Sequence, residues 1–313
     1  MLGRVPELRG AARKPLRGLQ LAPHPSFFYI PWRETCTNSR TRAPRHARSE
    51  PVSEPVLGVV PVRLESRRLP RKPLYPILDR PLLEWVWLRL APMRLFRRLV
   101  VATDSEEVRA LCVGLGAPVV MTDPGHPSGT DRVAEVVERR EYRDFPVVLN
   151  VQGDEPLVRE DHLDRAVSLV RDEGWEVGTC ATPLRDPEAR RDPAIVKVAR
   201  GRSGRALYFS RAGIPYMRDA EPSEADLGAA PFLRHLGIYA YRREALLRWV
   251  SLPPSPLEEI ERLEQLRALE DGIQIGVAVV DEASPGVDTA VDVVRMEQLL
   301  SGAHEPLTLK NRI

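Results

Sequence analysis

The chain has 313 residues, 43% of them hydrophobic and 29% charged, with a formal net charge of +2, which is room for one large α/β domain or two ordinary ones around a sizeable core. No uninterrupted apolar run approaches the roughly 18 residues of a spanning helix, which excludes membrane insertion, and Cys36, Cys112 and Cys180 form no CxxC pair, which excludes a sequence-evident zinc site and points to a reducing, cytoplasmic setting. The charge is uneven, with nine Arg and one Lys against four Glu in residues 1–56 and 36 basic against 40 acidic residues in 57–313, so no nucleic-acid partner is expected for the body of the chain.

Residues 1–55 hold eight prolines and no sustained helical or alternating pattern. They are expected to form a disordered basic extension. Translated upstream sequence is the preferred reading of it, with an Arg-rich organellar presequence as the alternative. From Val56 the texture changes. Val56 to Val62 reads as a short buried strand running into a basic loop, 63–72. A helix is predicted over about 81–96, a strand over Leu99 to Ala102, and a helix from a Ser105 cap to about Leu115. Pro118 to Met121 is a third strand, 130–141 a helix, Val147 to Val151 a fourth strand, and 160–172 another helix. Near-continuous Val/Leu strands alternating with helices predict a parallel sheet covered on both faces. Beyond Trp175, strands at 177–184, 195–199, 206–209 and 235–241 predict an antiparallel segment over about 176–241. Helices at 243–250 and 256–270, a strand at 275–280 and a helix after Asp288 complete a domain of 56–302, leaving 303–313 as a tail.

Open α/β sheets bind ligands outside the carboxyl ends of their strands, and three polar clusters fall there. Five cations occupy the ten residues from Arg63 to Lys72, the second cluster is Gln152-Gly153-Asp154-Glu155-Pro156, and the third is Gly286-Val287-Asp288-Thr289. Alone, each also fits a solvated loop, an ordinary turn or, for Thr289 with Asp292, a helix cap. Together they suit phosphoryl or nucleotidyl transfer, which needs charge around the phosphates and geometry for in-line attack. Asp154 and Asp288 are a candidate pair of ligands for Mg2+, which is usually held by one or two carboxylates plus substrate phosphates. Lys72 and Arg68 are the expected partners of a triphosphate and of the departing pyrophosphate.

Arg63-x-x-Ser66-x-Arg68-Leu69-Pro70-x-Lys72-Pro73-Leu74 resembles the signature loop of the sugar nucleotidyltransferases, in the form carried by the 3-deoxy-manno-octulosonate (KDO) cytidylyltransferases. The same family is matched by Val101-Ala102-Thr103-Asp104, by His126 to Arg132, by Asn150 to Pro156, by Phe232 to Tyr239, by Ser255 to Glu258 with Leu263 to Arg267, and by Gly286 to Thr289. The likeness runs from about Val56 to Leu300.

The resemblance implies a three-layer α/β/α, Rossmann-like fold of the nucleotide-diphospho-sugar transferase kind, its mixed and mostly parallel sheet carrying an antiparallel dimerisation insertion. It implies transfer of CMP from CTP to KDO with release of pyrophosphate, activating KDO for lipopolysaccharide biosynthesis in a Mg2+-dependent homodimer. Arg63, Ser66, Arg68 and Lys72 would hold the triphosphate, with Thr103, Ser128, Gly129, Thr130, Asp131 and Gln152 on the CTP side. Asp154 and Asp288 would bind Mg2+. Gln152, Arg211, His235, Tyr239, Glu264 and Gln265 would cradle KDO, with Arg211 and His235 offsetting the repulsion between two anionic substrates. Two positions depart from the family pattern: Val62 and Arg71 stand where small residues, Ala and often Gly, are expected, and Arg71 either faces the triphosphate or points outward. The alternatives are a cytidylyltransferase for sialic acid or an 8-amino KDO analogue, distinguished on the sugar side, and a binding module without turnover, disfavoured by intact Lys72, Asp154 and Asp288. Nucleic-acid binding through the basic extension is a third, testable by its salt dependence.

Overall fold

The computed structural model describes residues 54–228 and 231–302; the expected extension before Glu54 and the tail from 303 lie outside them. The first strand, β1 (Val56–Val62), is apolar on both faces. It can therefore occupy only the centre of a covered sheet. It is flanked by β4 (Arg98–Thr103) and β6 (Val147–Asn150), both parallel to it. β5 (Val119–Met121) adds outside β4. On the other side β6 pairs antiparallel with β10 (Leu233–Arg242), which in turn pairs with β7 (Val177–Pro183), and β11 (Ile275–Val279) closes that edge parallel to β7. The order is thus β11-β7-β10-β6-β1-β4-β5, with β10 alone reversed. A hairpin of β8 (Lys197–Arg200) and β9 (Ala206–Ser210) hangs from β10. A two-residue hairpin, β2 (Pro76–Ile77) and β3 (Arg80–Pro81), stands apart.

Helices cover both faces. On one side α1 (Leu82–Leu90), α2 (Glu106–Gly114) and α4 (Glu160–Arg171) contribute Leu83, Val86, Val108, Leu163 and Val167 to a core with the outward set of β1. On the other, α3 (Gly129–Glu138), α7 (Arg243–Ser251) and α9 (Gln265–Glu270) supply Val133, Val136, Leu246, Trp249 and Leu266. The three-layer α/β/α expectation is met. At Gly178 the layers touch at the backbone, since a Cβ there would lie 2.3 Å from the carbonyl oxygen of Ala166 on α4. The short helices α5 (Pro187–Arg191) and α6 (Glu224–Leu227) lie between β7 and β10 in sequence, and α10 (Ala290–Gly302) ends the described chain.

Three expectations are corrected. The helix expected to reach 96 ends at Leu90, because Pro92 has no N–H for the next intrahelical bond. The stretch 177–184 is not part of a separate antiparallel segment; β7 belongs to the main sheet, parallel to β11. The single helix expected over 256–270 is two, α8 (Pro256–Glu261) and α9, separated by Arg262 in the left-handed conformation (φ 55°).

β4 and β6 leave β1 in opposite directions, so the loops after β1 and β6 diverge from a switch point, the place where such sheets form ligand crevices. Cys112 and Cys180 are free and buried, and burial pushes their thiols up to about 11 and about 12. They are core residues rather than reactive ones.

Candidate active site

A cleft of about 320 Å³ opens at that switch point, lined by Arg63, Ser66, Arg68 and Lys72 from the loop after β1, by Gln152, Gly153 and Asp154 after β6, and by Asp288. Three distant sequence clusters meet in it. A 3-10 turn over Lys72–Leu74, opened by Pro73, brings Lys72 inward. Its Nζ donates to Asp154 and, at 2.7 Å, to Asp288, and Arg68 pairs with the other oxygen of Asp288 at 3.0 Å. Burial alone would lower the Lys72 ammonium, but the two carboxylates outweigh it and hold it above its ordinary value. Gly153 lets the loop after β6 close on β1: a Cβ there would come within 3.0 Å of Val62 and 3.3 Å of the Pro61 carbonyl. The Val287 N–H donates to the Asp154 carbonyl at 3.0 Å, docking the Asp288 loop on the Asp154 loop.

The helix cap expected of Thr289 with Asp292 is present. Thr289 and Asp292 exchange capping hydrogen bonds at the start of α10 (2.8 and 3.3 Å), and that cap fixes the backbone from which Asp288 projects. Arg71 takes the outward option. It has φ 57°, a conformation that favours Gly, and its guanidinium reaches an exposed Glu107 on α2 rather than the cleft.

The two carboxylates face one cation. Among the described residues no cluster of three or more His, Cys, Asp or Glu is placed to hold a metal, and Glu155 is pushed up to about 8 by burial and by the charge of Asp154. Two carboxylates with room for phosphate oxygens fit Mg2+, which keeps several ligand positions for water and substrate.

On the nucleotide side, Ser128 caps α3, accepting from Thr130 N and Asp131 N (3.1 and 3.2 Å) and donating to Asp131. Gly129 sits against Pro61, where an added Cβ would touch the ring at 3.4 Å. Thr103 and Thr130 are buried. The Thr103 hydroxyl accepts from Ser105 N (3.2 Å), and the Thr130 hydroxyl donates to Glu264 at 2.5 Å. Thr130 thereby ties α3 to Glu264, one of the residues expected to hold the sugar.

There, Gln152 donates to the Gly237 carbonyl (2.9 Å), joining the phosphate loop to β10. His235 lies edge-on to Phe209 (5.0 Å) and beside Tyr239 (5.3 Å). Tyr239 and Gln265 are almost fully buried, and among the described residues the Tyr239 hydroxyl and the second Glu264 oxygen have no hydrogen-bond partner. Burial raises the Glu264 carboxyl. The helix break at Arg262 explains their position, since one continuous helix would leave Glu264 and Gln265 facing water. Arg211 clamps that break. Its guanidinium donates to the carbonyls of Glu261 (2.7 Å), Arg262 (3.3 Å) and Pro193 (2.8 Å), so it holds the turn before Glu264 and is not brought onto His235 or Gln152.

Burial pulls His235 down to about 3 from 6.5, so the folded chain keeps it neutral where the unfolded chain binds a proton. Its contribution to stability is present above pH 6.5 and is lost as the pH falls toward 3. His235→Gln is expected to flatten this loss by up to one proton, ~1.4 kcal/mol per pH unit, read from urea unfolding at pH 7 and pH 5. An unchanged slope would contradict an enclosed, neutral ring.

Sequence reasoning passed over the ion pair of the buried Arg132 on α3 with Asp104 after β4, at 2.7 Å. Both lie inside stretches that carried the family likeness, which was the available signal. It also passed over Thr179, on β7.

A protein-family model described as cytidylyltransferase matches residues 57–275. A 3-deoxy-manno-octulosonate cytidylyltransferase of Gemmatimonas aurantiaca is 49% identical over 241 residues, 77% of this chain and 92% of that one. Proteins of the same description from Leptospira biflexa (42% over 243 residues, 77% and 95%) and Syntrophotalea carbinolica (44% over 250 residues, 79% and 99%) are similar over the same region. A solved CMP:2-keto-3-deoxy-manno-octonic acid synthetase complexed with CTP superimposes with a TM-score of 0.72 at 35% identity, covering 79% of this chain and 99% of that one.

Proposed function

Since this chain belongs to the cytidylyltransferase family, we infer that it transfers CMP from CTP to KDO, releasing pyrophosphate and activating KDO for lipopolysaccharide biosynthesis. The observation that carries the site assignment is the convergence of Lys72, Asp154 and Asp288 from three separate loops onto one point of the cleft. The anomeric hydroxyl oxygen of KDO attacks the α-phosphorus of CTP, the bond to the bridging oxygen of the β-phosphate breaks, and pyrophosphate leaves. Arg63, Ser66, Arg68 and Lys72 hold the triphosphate and take up the negative charge that grows on the leaving group. Ser128, Gly129 and Asp131 line the cytidine side, while Gln152, His235, Tyr239, Glu264 and Gln265 hold the sugar.

Asp154 and Asp288 would hold Mg2+, which when bound would supply charge neutralisation at the phosphates and a more acidic attacking hydroxyl. Both substrates are anions, and two cations from the signature loop already pair with Asp288, so arrival of the triphosphate exchanges carboxylates for phosphates around Lys72 and Arg68. A homodimer would cover Leu207, Tyr216 and Met217, which are exposed on and after β9, apolar surface of the kind that marks an interface. No helix among the described residues is long and apolar enough to cross a membrane, in keeping with a cytoplasmic setting.

The test is pyrophosphate release from CTP with KDO, sialic acid and an 8-amino KDO analogue, with and without Mg2+. Fast Mg2+-dependent release with KDO is expected. Release with another acidic sugar at higher kcat/KM, or none with any, would overturn the assignment.

A further inference from the structure

Thr179 is fully buried on β7 and makes three contacts through one hydroxyl. Its Oγ1 lies 2.7 Å from the carbonyl oxygen of Ile238, 3.2 Å from that of Leu236 and 3.0 Å from Nε2 of His235. All three partners sit on β10 around the irregularity at which its pairing with β7 shifts register, between Leu236 and Tyr239. Such bulges re-aim side chains next to functional sites.

A carbonyl oxygen only accepts, so an O···O contact of 2.7 Å takes the single hydroxyl proton of Thr179. What the hydroxyl then offers His235 is a lone pair, and Nε2 must donate to it. In a neutral imidazole whose Nε2 carries the proton, Nδ1 is bare. Nδ1 of His235 has no hydrogen-bond partner among the described residues, and the residue is not completely buried. Close by, the Gln152 amide donates its Nε2–H to the Gly237 carbonyl. That fixes the amide orientation and leaves its oxygen as a second acceptor.

We propose that Thr179 is a positioning residue that locks His235 in the Nε2–H tautomer, so that Nδ1 accepts a hydrogen bond from a hydroxyl of the sugar substrate. The proposal rests on the reading that places the sugar at this side of the cleft. Burial keeps the ring neutral throughout the working pH range, so the acceptor is not lost to protonation. A surface presenting acceptors selects hydroxyl donors and offers nothing to a carboxylate. The sugar's carboxylate is therefore held elsewhere in the cleft, and His235 reads the polyol.

The tautomer is read directly by long-range proton–nitrogen correlation spectra of the full-length protein labelled at histidine nitrogens, with the His235 signals identified by their absence in His235→Gln. A protonated Nε2 and a bare Nδ1 are expected in the wild type, with mixed or reversed tautomers in Thr179→Val and restoration in Thr179→Ser. In steady-state kinetics Thr179→Val should raise KM for KDO about tenfold with KM for CTP changed less than twofold, the size of one lost hydrogen bond. A protonated Nδ1 in the wild type overturns the proposal even if no Thr179 variant folds. So does a Thr179→Val protein that keeps the pure Nε2–H form, or one whose two KM values rise together. If the wild type shows the expected tautomer but no turnover of KDO, the substrate assignment fails and the tautomer stands.

Discussion

Asp154→Asn or Asp288→Asn lowers turnover of CTP with KDO by about 100-fold or more, roughly 2.7 kcal/mol of transition-state stabilisation, with the fold intact. The size follows from position. Each carboxylate reaches the cleft from its own loop, the two loops are joined by the Val287 N–H to Asp154 carbonyl bond, and both side chains converge on the Lys72 ammonium. The Asn side chain is nearly isosteric, so the packing of Gly153 against Val62 and the cap of α10 survive the substitution. What is lost is charge at the point where charge must be cancelled. Measured kcat with saturating CTP and Mg2+ checks this, and a variant that keeps wild-type turnover would remove its residue from the metal site.

Lys72→Met is the second large effect. It should lower kcat/KM for CTP by about 100-fold while changing the binding of cytidine, which has no phosphates, less than twofold. Equal loss with both would contradict a phosphate role. The same substitution has a consequence for stability. Lys72 is the shared partner of two carboxylates, and without it only Arg68 offsets their mutual repulsion, on the order of a few kcal/mol at an effective dielectric near 20. The variant should therefore unfold at lower urea than the wild type when Mg2+ is absent, and Mg2+ should stabilise the variant more than the wild type.

Much of the fold could be read in advance because the central strands are apolar on both faces and punctuated by polar loops. Val56–Val62 and Val147–Asn150 admit little but a covered parallel sheet. The clusters at 63–72 and 152–156 were legible for the same reason: each follows directly on such a strand. What was not legible was backbone conformation that no residue announces. Arg71 and Arg262 adopt left-handed conformations without being glycine. The sequence from Pro256 to Glu270 is good helix-forming material throughout, and only the clamp of Arg211 on the carbonyls of Glu261 and Arg262 shows why it breaks. That break decides whether Glu264 and Gln265 face water or the sugar side.

The charge of His235 was misjudged for a related reason. A histidine at the head of a strand looks like a cation available to an anionic sugar, but it is enclosed by Tyr239 of its own strand and by Phe209 and Thr179 from two others. Arg211, expected among the sugar ligands, gives three of its five guanidinium N–H donors to backbone carbonyls. Its contribution in this structure is to hold the helix break in place.

The most direct test is crystallographic: the protein soaked with CTP and Mn2+, with the metal located by its anomalous signal. The account predicts a manganese peak within about 2–2.5 Å of a carboxylate oxygen from both Asp154 and Asp288, with the Lys72 ammonium moved onto phosphate oxygens. A metal held by the nucleotide alone, with both carboxylates still bound to Lys72, would contradict it.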